Sequence, residues 1–134
     1  METLILFARF IIAVLPFLNR KSKLKGKWRA EYSRSGSKQK LNELIELTQL
    51  SSLVWGTIKP IDNPADPEWK CYGLNRDQVL VGIYFSAERL HHWQGSFTLV
   101  LSDHKDKLVG HYSGFEESTQ SIVMSPYVWH RLAS

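Results

Sequence analysis

From Gly26 to the C-terminus, apolar and polar residues alternate in short runs separated by turn residues. A period of two suits strands and defeats helices, so this stretch must fold as β-structure. Trp28, Ala30 and Tyr32 alternate with Lys27, Arg29 and Glu31, and Ser-Arg-Ser-Gly-Ser ends that strand. Leu41 to Leu50 carries both spacings, helical in Leu41, Leu44, Ile45 and Thr48, alternating in Leu41, Glu43, Ile45, Leu47 and Gln49. Strands on both sides, and the lack of a helix cap before it, favour the alternation. Further strands follow over Val54–Ile58, Trp69–Gly73, Val79–Phe85, Gly95–Leu101, Lys107–Gly114 and Ile122–Arg131. Turns are expected at Asn75-Arg76-Asp77 and Ser102–Asp106. Pro126 within the last strand predicts an edge or a bulge. Eight short antiparallel strands with one apolar face close most economically as a small up-and-down barrel, which leaves no exposed edge. A two-sheet sandwich is the alternative. The domain plan is therefore a hydrophobic helix over 1–20, a basic linker over 21–25 and a barrel over 26–134.

Ahead of the strands lies a block of another kind. Leu4 to Leu18 reads LILFARFIIAVLPFL, apolar except for Arg9 and Pro16. As a helix it spans roughly 22 Å against about 30 Å of bilayer hydrocarbon, a short span or a deep interfacial helix. Met-Glu-Thr has no base and no small-residue cleavage site follows Leu18, which disfavours a secretory signal. Leu4, Phe7, Ile11, Val14 and Leu18 are the expected lipid-facing residues. Arg9 falls near Glu2 on the helical wheel, where it either snorkels to headgroups or meets a charge on another copy. A soluble core helix is the competing reading. Next come Arg20, Lys21, Lys23, Lys25, Lys27 and Arg29, six cations in ten residues with no acid between them. Such a collar beside a membrane segment stays cytoplasmic, which places the barrel in the cytoplasm at the inner membrane.

The net charge of +4 belongs to that collar, since the remainder of the chain is near −2. A surface for DNA or RNA is not indicated. Cys71 is the single cysteine, so neither an internal disulfide nor a cysteine zinc site is available. Chemistry is otherwise sparse. There is no Walker loop and no GxGxxG after a strand. His91 and His92 are adjacent and on a strand would face opposite sides, so no metal site is expected. No nucleophile motif marks a serine, and Cys71 beside Trp69 and Tyr72 reads as a small buried hydrophobe. The chain is not expected to be an enzyme or to carry a cofactor. Five Trp, five Tyr and six Phe would fill a core, and inward Tyr and Trp would also offer stacking faces to a nucleobase. A filled barrel acting as an interaction module is the plainer alternative.

Gly26-Lys27-Trp28 opens the first strand, and Tyr127-Val128-Trp129-His130-Arg131 closes the last. A Gly-x-Trp start with an Arg on the final strand resembles lipocalin- and avidin-type barrels. The resemblance implies that Arg131 lies across Trp28, with Gly26 beside it, and seals one barrel end. The whole plan, with Val54-x-Gly56-x-Ile58, Leu108-x-Gly110-x-Tyr112 and Tyr127-x-Trp129-x-Arg131, is similar to the membrane-anchored β-barrel effectors of bacterial cyclic-oligonucleotide anti-phage (CBASS) systems. That likeness covers residues 26–131 as a pattern. It implies a cyclic di- or oligonucleotide bound in the barrel, assembly into a homo-oligomer, and damage to the inner membrane through contact with its lipids. The chain departs from those effectors in having room for one membrane helix where they have two. A lipocalin-like carrier of another small ligand is the second implication. Such a ligand needs aromatic faces and cations. With Trp28, Phe97 and Leu108 facing inward, alternation sends Tyr32 and Tyr112 inward too, and Arg34 extends that face towards the open end. Tyr84 joins this lining only if Val79–Phe85 has the parity opposite to the one its apolar residues favour.

Overall fold

A computed structural model describes residues 23–34, 38–63, 65–88, 94–116 and 119–133. The helix expected over 1–20, with Leu4, Phe7, Arg9, Ile11, Val14 and Leu18, lies outside the described residues, as do His91 and His92. Eight strands run β1 (Gly26–Ser33), β2 (Lys40–Leu50), β3 (Leu53–Pro60), β4 (Trp69–Arg76), β5 (Val79–Ser86), β6 (Gln94–Leu101), β7 (Lys107–Glu116) and β8 (Ser121–Arg131). Each pairs with its sequence neighbours, and β1 pairs antiparallel with β8, so the sheet closes into an up-and-down barrel. The sandwich alternative is thereby excluded. Leu41 to Leu50 is strand throughout.

Closure also sharpens two expectations. Of the edge or bulge expected at Pro126 the edge is found, since β7 and β8 stay in one-to-one register through His111↔Pro126, which excludes a bulge. Pairing of β8 with β1 ends at Tyr127, so Pro126 occupies the first position where β8 needs partners on one side only. The turn expected at Asn75-Arg76-Asp77 begins later. Asn75 and Arg76 still pair with Leu80 and Val79, and Asp77 takes the left-handed conformation at φ 55°. Asp tolerates that conformation because its short side chain bonds locally.

The barrel is packed solid at one end. Trp28, Ile45, Leu80, Leu99, Leu108 and Trp129 are all fully buried there. Ala30 pairs with Trp129, and so small a residue leaves space for the indole. Leu24 enters from below, fully buried, with its N–H donating to Gln49 Oε1 at 2.9 Å. Trp28 Nε1 donates back to the Leu24 carbonyl at 3.0 Å. Residues 23–25, expected as linker, thus belong to the barrel's plug. The Arg131 guanidinium carbon sits 4.3 Å from the centroid of the Trp28 ring. Its Nε donates to the Lys105 carbonyl at 3.0 Å, and its two terminal nitrogens donate to the carbonyls of Lys25 and Lys23. One side chain therefore ties the chain's entry, its exit and the β6–β7 turn together. Gly26 has φ +130°, a conformation that side-chain-bearing residues rarely adopt, and this lets the chain turn from the plug into β1.

Parity on β5 is the largest correction. Its β-branched residues Val79, Val81 and Ile83 and its aromatic Phe85 all face outward. Leu80, Gly82 and Tyr84 face inward. The reason is Phe97, which pairs with Gly82 and lies so close that a Cβ there would meet its Cζ at 2.4 Å. Only a glycine opposite Phe97 lets both strands point their inner faces at the same core.

Candidate functional site: a tyrosine-lined cavity at the open end

Towards the other end the packing stops, and a cavity of about 510 Å³ opens. The residue types explain it. Beyond the solid layers the inward positions become Tyr32 on β1, Glu43 on β2, Trp69 on β4, Tyr84 on β5, Tyr112 on β7 and Tyr127 on β8. Long rings rooted in the wall reach across and leave space between them. Tyr84 fits because Gly95 and Gly114 lie beneath it, where a Cβ would meet its hydroxyl at 2.3 and 2.7 Å.

The rings form a connected wall. Trp69 meets Tyr84 at 5.4 Å between centroids, Tyr84 meets Tyr112 at 6.5 Å, and Tyr112 meets Tyr127 at 5.2 Å. Tyr32 closes the circuit, 5.8 Å from Tyr112 and 6.2 Å from Tyr127. Every one of these contacts is edge-to-face, the arrangement the ring quadrupole prefers, so no two of these rings stack upon each other.

Hydroxyl groups fix the rings. Tyr84 donates to the Ser113 carbonyl at 3.0 Å, Tyr112 to the Ser33 carbonyl at 2.7 Å, and Tyr127 to Glu43 Oε1 at 2.7 Å. Tyr32 is different, because among the described residues its hydroxyl has no hydrogen-bond partner. Burial pushes the Tyr32 hydroxyl up to about 12 and raises Tyr84 and Tyr112 as well. All four hydroxyls stay protonated near neutrality, and with the protons of Tyr84, Tyr112 and Tyr127 already donated within the wall, that of Tyr32 is the one left to meet a ligand.

At the floor sits Glu43, 7% exposed. Burial pushes its carboxyl up to about 7, and the Tyr127 hydrogen bond opposes that only in part. A carboxyl poised there exchanges its proton near neutrality, and a ligand offering N–H donors or a positive charge would favour the ionised form. Arg34 stands at the mouth, largely exposed, with a terminal nitrogen 3.8 Å from Asp66. Asp66 is positioned by the β3–β4 loop, where its N–H donates to the Asn63 carbonyl at 3.0 Å.

The structure brings Tyr32, Arg34, Tyr84 and Tyr112 to this one cavity, and it holds Gly26, Trp28 and Arg131 at the opposite end. Tyr84 arrives there because β5 has the parity opposite to the one its apolar residues favour. Sequence reasoning missed Glu43, Trp69 and Tyr127. Glu43 was legible, since Leu41, Glu43, Ile45 and Leu47 alternate on one face and Ile45 and Leu47 are core. Cys71 is buried, and burial pushes its thiol up to about 12, far from a reactive thiolate. Among the described residues no group of three or more His, Cys, Asp or Glu side chains is placed to hold a metal ion. Nor is any helix there long and apolar enough to cross a membrane. The chain matches no protein family, no curated protein and no solved structure.

Proposed function

We propose that the barrel is a non-enzymatic sensor that receives a cyclic di- or oligonucleotide in its open-end cavity. Loaded copies then assemble at the cytoplasmic face of the inner membrane and disrupt it through residues 4–18. The observation that carries the ligand half is the cavity's composition: four tyrosines and a tryptophan around a buried carboxyl, with an arginine at the mouth. A base entering this space stacks on tyrosine faces, and its N–H edge donates to Glu43 and meets the free Tyr32 hydroxyl. Its phosphate is left at the rim beside Arg34. Stacking on one aromatic side chain is worth about 1–3 kcal/mol per base, and charge-assisted hydrogen bonds add to it. The membrane half is supported by the apolar run Leu4–Leu18, by the basic collar behind it, and by the resemblance to the anti-phage effectors.

One observation favours a second reading. Among the described residues the rim has a single cation, Arg34, already facing Asp66 above a carboxyl floor, and this suits a ligand with one flat, donor-bearing ring better than one with several phosphates. That is the lipocalin-like carrier.

Titrating the full chain with a panel of cyclic di- and trinucleotides tests both readings, with tryptophan fluorescence reporting binding and sedimentation reporting assembly. The sensor reading expects saturable binding that is weakened roughly 5- to 150-fold by Tyr32→Ala or Tyr112→Ala, the loss of one stacking contact. It also expects a rise in mass on loading. Binding of free nucleobases or aromatic amines, with none of the cyclic nucleotides, would transfer the cavity to the carrier.

A further inference from the structure

The outer surface of the barrel is strongly one-sided. On β1 the outward residues are Lys27, Arg29, Glu31 and Ser33, whereas on β5 they are Val79, Val81, Ile83 and Phe85. Following the register from β5 to β8 gives a row of side chains that runs large, small, small, large: Ile83 pairs with Ser96, Ser96 with Ser113, and Ser113 with Met124. The two serines hydrogen-bond each other at 2.8 Å, and Gly95 and Gly114 lie next to them. The result is a trough of about 440 Å³ with Ile83 and Phe85 on one wall and Phe115 and Ile122 on the other. Beside the first wall, Tyr72 stacks on Phe85 at 5.8 Å between centroids and an interplanar angle of 10°. A ridge and a trough thus run side by side.

We infer that this face, from β4 to β8, docks a second copy of the chain about a two-fold axis near Ser96, with each ridge seated in the other's trough, and that the pairing needs no ligand. Isologous contact requires a surface complementary to itself, and a ridge lying beside a trough supplies both halves of such a contact. The area is sufficient. Tyr72, Ile83, Phe85, Phe115, Ile122 and Met124, with Val81 and Leu74, are between 36% and 71% exposed. Together they present on the order of 800 Å², about what each partner of a standard interface buries and more than most monomers leave open. On β5 and β6, at the middle of the face, the backbone is paired with a strand on each side, so side-chain packing must supply the contact there, and β8 lacks its β1 partner only from Ser121 to Pro126.

Cysteine cross-linking of the full-length protein tests the inference without ligand. Cys71 is buried and gives a silent background. Ser96→Cys at the axis is expected to form a disulfide-linked pair under mild oxidation, whereas Thr48→Cys, on the outer face of β2, is expected to stay single. Ser96→Trp, which fills the trough from the solvent side, is expected to halve the sedimenting mass while leaving the thermal melt in place. A Ser96→Cys chain that stays single, or links no better than Thr48→Cys, overturns the proposal. If its thiol is then shielded from a water-soluble maleimide only by added phosphatidylglycerol vesicles, lipid covers the face. Shielding in a single chain without vesicles assigns the face to residues 1–22. Because pairing is read without any nucleotide, its failure is separate from failure of the sensor reading.

Discussion

Glu43 carries more of this protein's chemistry than any other single residue. Its unfolded carboxyl ionises near 4.5 and its folded one near 7, so between these values the folded state holds a proton that the unfolded state has released. Stability therefore falls as pH rises from about 4.5 through about 7 and levels off above that, by on the order of 3 kcal/mol in all. Thermal melts from pH 5 to pH 8 are expected to show this decline. Glu43→Gln keeps the acceptor for Tyr127 and cannot ionise, so it is expected to remove most of the slope and to be the more stable protein at pH 8. An unchanged slope in the variant would show that the carboxyl does not titrate in this window. Under the proposed ligand-binding reading, the same proton links to binding. A donor-bearing ligand stabilises the ionised form, so its uptake near pH 7 should release protons, measurable by calorimetry in buffers of different ionisation enthalpy.

Among the elements, β5 is where pattern and packing part company. Four consecutive outward positions are apolar, and by propensity they look like the buried face. Their burial differs from that appearance because the opposing strands supply the volume: Phe97 fills the space above Gly82, and Tyr84 lies over Gly95 and Gly114. Leu80→Ala is expected to cost about 2–5 kcal/mol as a core truncation. Val81→Ser, one residue away on the outer face, should lie within about 0.5 kcal/mol of the parent fold in chemical denaturation. Similar costs for the two would mean that the strand's faces are assigned the wrong way round. β1 and β7 show no such conflict. On β1 and β7 the alternation is anchored by Trp28 and Leu108, whose size leaves one side only, and Tyr32 and Tyr112 follow by counting.

At the scale of the whole molecule, Arg131 holds the closed end. It covers Trp28, binds the plug carbonyls of Lys23 and Lys25, and binds the Lys105 carbonyl in the β6–β7 turn. Arg131→Ala is expected to lower stability by about 1–4 kcal/mol, through lost packing as well as lost hydrogen bonds. Arg131→Lys should recover only part of this, because a point charge cannot serve three carbonyls and a ring face at once. A melting temperature unmoved by Arg131→Ala would show that Trp28 and Leu24 seal the end alone. The fold separates its two ends by position: a packed, plugged end where the chain enters, and an open aromatic end four residues further along, from Trp28 to Tyr32 on β1, Leu80 to Tyr84 on β5 and Leu108 to Tyr112 on β7.

By itself the sequence determined the strand content, the approximate strand number and the side of β1 and β7 that meets the core. Period-two alternation and large anchoring residues are local properties that any strand displays alone. It also determined that Trp28 and Arg131 stand at the first and last strands. Only the tertiary structure decided the facing of β5, because that depends on which residue stands across from Gly82. It alone decided that residues 23–25 are plug and not linker, since Leu24 is buried by side chains distant in the sequence. Glu43 shows the boundary between the two. Its side of the strand could be counted from Ile45 and Leu47, but its raised proton affinity follows from burial beside Tyr127, 84 residues away, and only a closed barrel brings those two together.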